Sequence, residues 1–229
     1  MQQGRFLLIY MNKYFRIFLF LLFSVCAFSA CEENIDSDEE FSNWQAHNDE
    51  TFKKILSQAH SAIASAKAEY GDSWEKHCEW RTYRTYAQAQ ETEGKASDSI
   101  CVKIIENGKG SGCPLYTDSV TVNYLGRLLP SPSYPEGFVF DHSSKGSPVD
   151  DVFNPNFAQP AYFLVSNSIE GFTTALQKMH IGDRWLVYIP QELAYGSVSN
   201  NIIPGYSMLT FEMQLLAFYR AGYGPHTRE

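Results

Sequence analysis

The stretch from Gly182 to Phe218, GDRWLVYIPQELAYGSVSNNIIPGYSMLTFEMQLLAF, constrains the fold of this chain more than any other. Trp185 to Ile189 is a short run of large and β-branched residues stopped by Pro190. Leu209, Phe211, Met213 and Leu215 alternate with Thr210, Glu212 and Gln214. Both segments read as strands of an antiparallel sheet with one buried face. The connection between them carries Leu193-Ala194-Tyr195-Gly196 and Ile202-Ile203-Pro204, a phenol and two branched aliphatics where a mere connection would be polar. Loops with such side chains usually line a site.

Further strands are expected from Ile100 through Val102 to Ile104, from Val120 through Val122 to Tyr124, and over Ala161 to Val165. Gly108-Lys-Gly-Ser-Gly reads as a hairpin turn; it lacks the GKS or GKT, and the following helix, of a phosphate loop. Ile169, Phe172, Leu176 and Met179, with Ala175 between, predict a short amphipathic helix ended by Gly182. The proline-rich PSPSYPEG and residues 143–160 are irregular excursions. The expected domain is α+β, a curled antiparallel β-sheet packed over one short α-helix, with Phe172 facing the sheet.

From Trp44 to Tyr70 the pattern is helical: Phe52, Leu56, Ala59, Ile63, Ala66 and Tyr70 form one apolar seam, and Gly71 is a natural stop. The seam needs a partner, either the body of its own chain, which its short length and two alanines favour, or a second copy in a homodimer. In residues 72–97, Trp74, Trp80, Tyr83 and Tyr86 suggest a short helix or turn packed on a core. ETEGKASDS then reads as a linker.

The amino terminus is an address. Met11 to Arg16 supplies a basic region, Ile17 to Phe28 an apolar core, and Phe28-Ser29-Ala30 small residues before Cys31. This resembles a bacterial lipoprotein signal, which implies a membrane anchor through a lipid on Cys31 and a place in the cell envelope, on the periplasmic face or the cell surface. The apolar core is shorter than the ~20 residues of a membrane span. Residues 31–40, with EENIDSDEE after the cysteine, read as an acidic tether. Loss of residues 1–30, which hold Arg5, Lys13 and Arg16 and no acid, takes the net charge from −8 to −11. So acidic a chain is a poor partner for nucleic acid.

Of the remaining thiols, Cys101 and Cys113 flank the Gly108–Gly112 run, where they either face each other across a hairpin or stay free and buried. No HExxH, GxSxG or CxxC occurs, and His77-Cys78 has no second pair, so neither a metal nor another cofactor is expected.

AYG followed by IIPxxxxLxFxxxLL, preceded by GFxxALxxMxxGDRW, by VxVNYxGRL and by Phe140-Asp141, resembles the FKBP-type peptidyl-prolyl cis-trans isomerases in the family's own order, over roughly residues 98–219. The resemblance implies that Tyr124, Phe140, Phe172, Ile203 and Phe211 wall a proline pocket. It also implies that Tyr195 and the backbone N–H of Ile169 donate to substrate carbonyls, and that Asp141 sits at the pocket edge. Ala161 stands where the family often has an aromatic wall, Ser168 where it has an aliphatic, Phe172 where it usually has tryptophan, and Ser199 where a loop histidine is frequent.

The chain is thereby expected to comprise a signal peptide (1–30), an acidic tether (31–40), a helical segment (41–97), an FKBP-like domain (98–219) and a tail (220–229). The expected function is isomerisation of X–Pro bonds in exported polypeptide clients. The alternatives are a non-catalytic binding module on the same fold, and a holdase that grips clients with its amino-terminal helix.

Overall fold

The computed structural model describes residues 37–88, 93–145, 152–200 and 202–224. The expected signal peptide and Cys31 lie outside them. Ser37–Glu40 is a single helical turn in a unit of its own; from Phe41 onward the described residues form a second unit. Among the described residues no helix is long and apolar enough to cross a membrane.

Helix α1, Trp44–Tyr70, follows the apolar seam and closes on Gly71, whose amide donates to the Lys67 carbonyl. Its buried residues are Trp44, Asn48, Phe52, Leu56, Ala59 and Ala66. Trp44, Phe52, Leu56 and Ala59 share one core cluster with the sheet and Ile63 packs against it, so this part of the seam packs on its own chain, while Tyr70 at its end is exposed. The buried guanidinium of Arg81 donates to the carbonyls of Glu75, Cys78 and Trp80, folding the Gly71–Lys76 turn back onto the next element.

That element is a strand where sequence analysis expects a helix or turn. β1 (Trp80–Arg84) is an outer strand of a seven-stranded sheet completed by β2 (Ser99–Glu106), β3 (Ser119–Arg127), β4 (Val139–His142), β5 (Ala161–Leu164), β6 (Arg184–Ile189) and β7 (Leu209–Tyr219). The order is β1-β2-β6-β7-β3-β4, with β5 also on β3, and every pairing is antiparallel. Helix α2 (Glu170–Leu176) packs on the face of β1, β2 and β6 that carries Trp185, Val187 and Ile189. Helix α1 covers β1 and β2. Cys101 pairs with Tyr188, which alternates with those core residues, and is nevertheless fully buried.

The Gly108 run is not a hairpin turn, since β2 pairs with β1 and β6, while β3 lies beyond β7. Gly108 and Gly110 serve close approach instead, while Gly112 holds a positive φ of 72°. A Cβ on Gly108 would lie 2.4 Å from the Ile181 carbonyl oxygen, and its amide donates to Asp183 Oδ1 at 2.6 Å. With no hairpin between them, Cys101 and Cys113 do not meet, and Cys78, Cys101 and Cys113 are all free.

Candidate active site

The sheet curls toward α2 and leaves a cleft of about 610 Å³, inside the ~300–1,000 Å³ range of small-ligand sites. Phe172 is its floor, 4% exposed, on the first turn of α2. Its ring meets Phe211 edge-on at 5.0 Å and 82°, Tyr124 at 5.9 Å and 83°, and Phe163 at 6.0 Å. Phe140 stands edge-on to Phe211 at 5.4 Å. Such edge-to-face pairs suit the ring quadrupole and hold one another's rotamers. Gly126 on β3 makes room for them, because a Cβ there would lie 2.6 Å from Phe211 Cε1 and 2.7 Å from Phe140 Cζ.

Polar groups lie at the rim. The Tyr124 hydroxyl donates to Asp141 Oδ2 at 3.0 Å, and the His142 amide donates to Asp141 Oδ1 at 2.9 Å. Burial, the Asp141 charge and that hydrogen bond hold the Tyr124 phenol above its usual range, so it stays a neutral donor. Tyr195, 43% exposed, has no hydrogen-bond partner for its hydroxyl among the described residues. Ile169, extended at φ −60° and ψ 152°, is the N-cap of α2, and its amide likewise has no partner among them.

The loop between β6 and β7 is tied internally. Asn200 and Ile203 exchange backbone hydrogen bonds at 3.0 and 2.7 Å, Tyr206 donates to the Gly196 carbonyl at 2.7 Å, and the Gly205 amide donates to Ser199 Oγ at 2.9 Å. Ser199 therefore fastens the loop at the position where the resemblance led one to look for a histidine.

Of the residues singled out from sequence, Tyr124, Phe140, Asp141, Ile169, Phe172, Tyr195, Ile203 and Phe211 come together around the cleft, with Ser168 beside them. Ala161 does not line it. It pairs with Val122 in β5, and its methyl is too short to reach the wall that Phe163, on the same strand face, supplies. Ile202, expected in a site-lining loop, lines the cleft too, while sequence reading missed Phe163, Asn167 and Asn200. Phe163 was accessible in principle, through the two-residue period that links it to Ala161.

The model of the FKBP-type peptidyl-prolyl cis-trans isomerase family matches residues 114–216. The "Macrophage infectivity potentiator" of Trypanosoma cruzi is 33% identical over 179 residues, covering 74% of this chain and 82% of that protein. The chain belongs to the FKBP-type peptidyl-prolyl cis-trans isomerases.

Other members of the family match over a shorter span. The "FKBP-type 22 kDa peptidyl-prolyl cis-trans isomerase" of Escherichia coli is 38% identical over 50% of this chain and 47% of its own. The "Outer membrane protein MIP" of Legionella longbeachae is 37% identical over 52% and 44%. The chain thus spans about half the length of these two relatives. The family match runs from before β3 into β7, as far as residue 216, and covers the whole cleft, while α1, β1 and β2 lie before it.

Proposed function

We propose that this FKBP-type chain is an envelope lipoprotein that catalyses cis–trans interconversion of X–Pro bonds in exported polypeptides. The observation that carries the reading is the aromatic cleft floored by Phe172, with polar donors confined to its rim.

Rotation about a peptide bond is opposed by ~18–20 kcal/mol of resonance, and X–Pro is the bond that populates both isomers. At the perpendicular transition state the resonance is gone and the imide is less polar than in either planar form. Phe140, Phe172, Phe211 and Ile203 offer the proline ring an apolar enclosure that favours this twisted state. Tyr195 Oη and the Ile169 amide, both without a partner among the described residues, serve as donors that orient the flanking carbonyls. Asp141, held by Tyr124 and His142, sets the field at the mouth. No bond breaks, so no nucleophile or cofactor is required, and each ~1.4 kcal/mol of preference for the twisted state is tenfold in rate.

The lipid anchor rests on Phe28-Ser29-Ala30-Cys31 following an apolar run. The name of the Legionella relative accords with an envelope location. Two experiments test the whole. A protease-coupled assay with X–Pro peptides should show acceleration by residues 41–229; a folded protein without it leaves a non-catalytic binding module. Wild type should incorporate palmitate and enter the detergent phase where Cys31→Ser does not, and equal labelling refutes the anchor.

A further inference from the structure

We infer that the described residues between Trp44 and Asp98, which precede the region matched by the family model, form a positioning element for the cleft. This rests on the isomerase reading above. The segment grips three of the backbone stretches that carry cleft groups.

The first grip is on the loop that presents Ile203. Trp44 Nε1 donates to Ser207 Oγ at 2.8 Å, and that hydroxyl donates to the Pro204 carbonyl at 2.6 Å. Asn48 completes it: its Nδ2 donates to the Trp44 carbonyl at 2.7 Å, and its Oδ1 accepts from the Met208 amide at 2.8 Å. Trp44, Asn48, Ser207 and Met208 are 7, 1, 3 and 1% exposed. Tyr206, between Pro204 and Ser207, holds a positive φ of 63°. A buried asparagine in an otherwise apolar seam contributes less to packing than leucine would. Its bond to the Met208 amide instead fixes where the loop enters β7, and its bond to the Trp44 carbonyl holds the side chain in place.

The second grip is on the start of α2. Thr85, fully buried just past β1, donates its hydroxyl to the Glu170 carboxylate, one residue after Ile169. The third is on the approach to Tyr195. The Ala96–Asp98 turn packs on the Gln191–Leu193 turn, and the Gln191 carbonyl accepts from the Ala194 and Gly196 amides on either side of Tyr195. Around a small cavity of about 250 Å³, Asn48, Ser97, Gln191 and Met208 meet, so α1 and the Ala96–Asp98 turn act on one corner of the cleft loop.

The grips touch no substrate; they act through Ile203, Ile169 and Tyr195. Their effect belongs in turnover by folded protein rather than in the existence of the fold. The test uses the full chain in detergent at 10 °C, with Asn48→Leu, which removes the acceptor for Met208, and Thr85→Val, which removes the hydroxyl. Thr85→Ser restores it. Each of the first two should lower kcat/KM about threefold to tenfold while melting far above the assay temperature, and Thr85→Ser should stay within about twofold of wild type. Amide exchange should quicken at residues 202–208 in Asn48→Leu and at 169–171 in Thr85→Val, with the centres of β3 and β7 unchanged. Folded variants with wild-type kcat/KM, or with wild-type exchange at those segments, overturn the inference. If Asn48→Leu fails to fold, Trp44→Phe, which keeps the ring packing and removes only the indole donor, takes its place. A wild type without isomerase activity refutes the reading of the cleft instead; exchange alone then decides the brace, and unaltered exchange overturns it.

Discussion

Tyr124 and Asp141 form a fixed pair at one end of the cleft, the phenol donating to Oδ2 at 3.0 Å while Oδ1 is occupied by the His142 amide. The tyrosine keeps its proton because both burial and the carboxylate disfavour phenolate. Asp141→Asn should therefore let Tyr124 titrate at lower pH, read from phenolate absorbance with Tyr124→Phe identifying the band. An unmoved band would show that burial alone sets the shift. Losing one oriented charge without altering shape should lower kcat/KM by about tenfold or less.

Tyr195 and Phe140 act on substrate in different ways. Tyr195→Phe removes one donor and keeps the ring, so kcat/KM should fall by about tenfold or less. Phe140→Ala deletes a wall that also supports Phe211, and should cost more activity than Tyr195→Phe. The reverse order in a peptide assay would mean that the hydrogen bond, and not the enclosure, carries the rate.

The floor can be separated from the fold. Phe172→Ala empties the junction of three ring contacts and should cost ~3–5 kcal/mol of stability by denaturant unfolding. Phe172→Trp, the family's usual residue, should stay folded and active.

Leu56 is 8% exposed on the seam of α1. Leu56→Asp buries an unpaired carboxylate and should lower the melting temperature by at least several degrees in a chain of this size. Wild type should sediment as a monomer at every concentration, since the seam is already covered. A dimer lost in Leu56→Asp would return the coiled coil.

Burial pushes the Cys101 thiol and the Tyr83 phenol each up to about 12. Both fold as the protonated form, so the stability they contribute is complete below their unfolded pKa values, near 8.5 and 10. It is lost as pH rises from there toward 12. These two groups should leave the urea midpoint unchanged from neutral pH to about pH 8 and lower it above that, and Cys101→Ala should be less stable at neutral pH but decline less steeply. Thiol reagents on native protein should modify the partly exposed Cys113 before Cys101.

The sequence made β6, β7 and α1 legible because each has one buried face and therefore one clear period. β1 was hidden because its two aromatics serve opposite faces: Trp80 stacks on Tyr188 and Tyr83 on Trp185, so no alternation shows in five residues. Gly108 and Gly110 misled because close approach and tight turning call for the same residue, and the neighbour being approached, Ile181, is distant in sequence. In the cleft, family-matching positions pointed to eight residues that do converge, whereas Asn167 and Asn200 had no pattern of their own. The ties from Trp44, Asn48 and Thr85 are single long-range bonds, which leave no mark on any periodicity.

β7 lies in the middle of the sheet, between β6 and β3, although it is the last strand in order. Until residues 209–219 have been synthesised, β1-β2-β6 and β3-β4-β5 have no strand in common, so the two half-sheets wait for a seam supplied late. Pairings this distant in sequence are slow to form. For a chain exported as proposed, a seam that closes last would leave the polypeptide longer in a form that can thread a translocation channel.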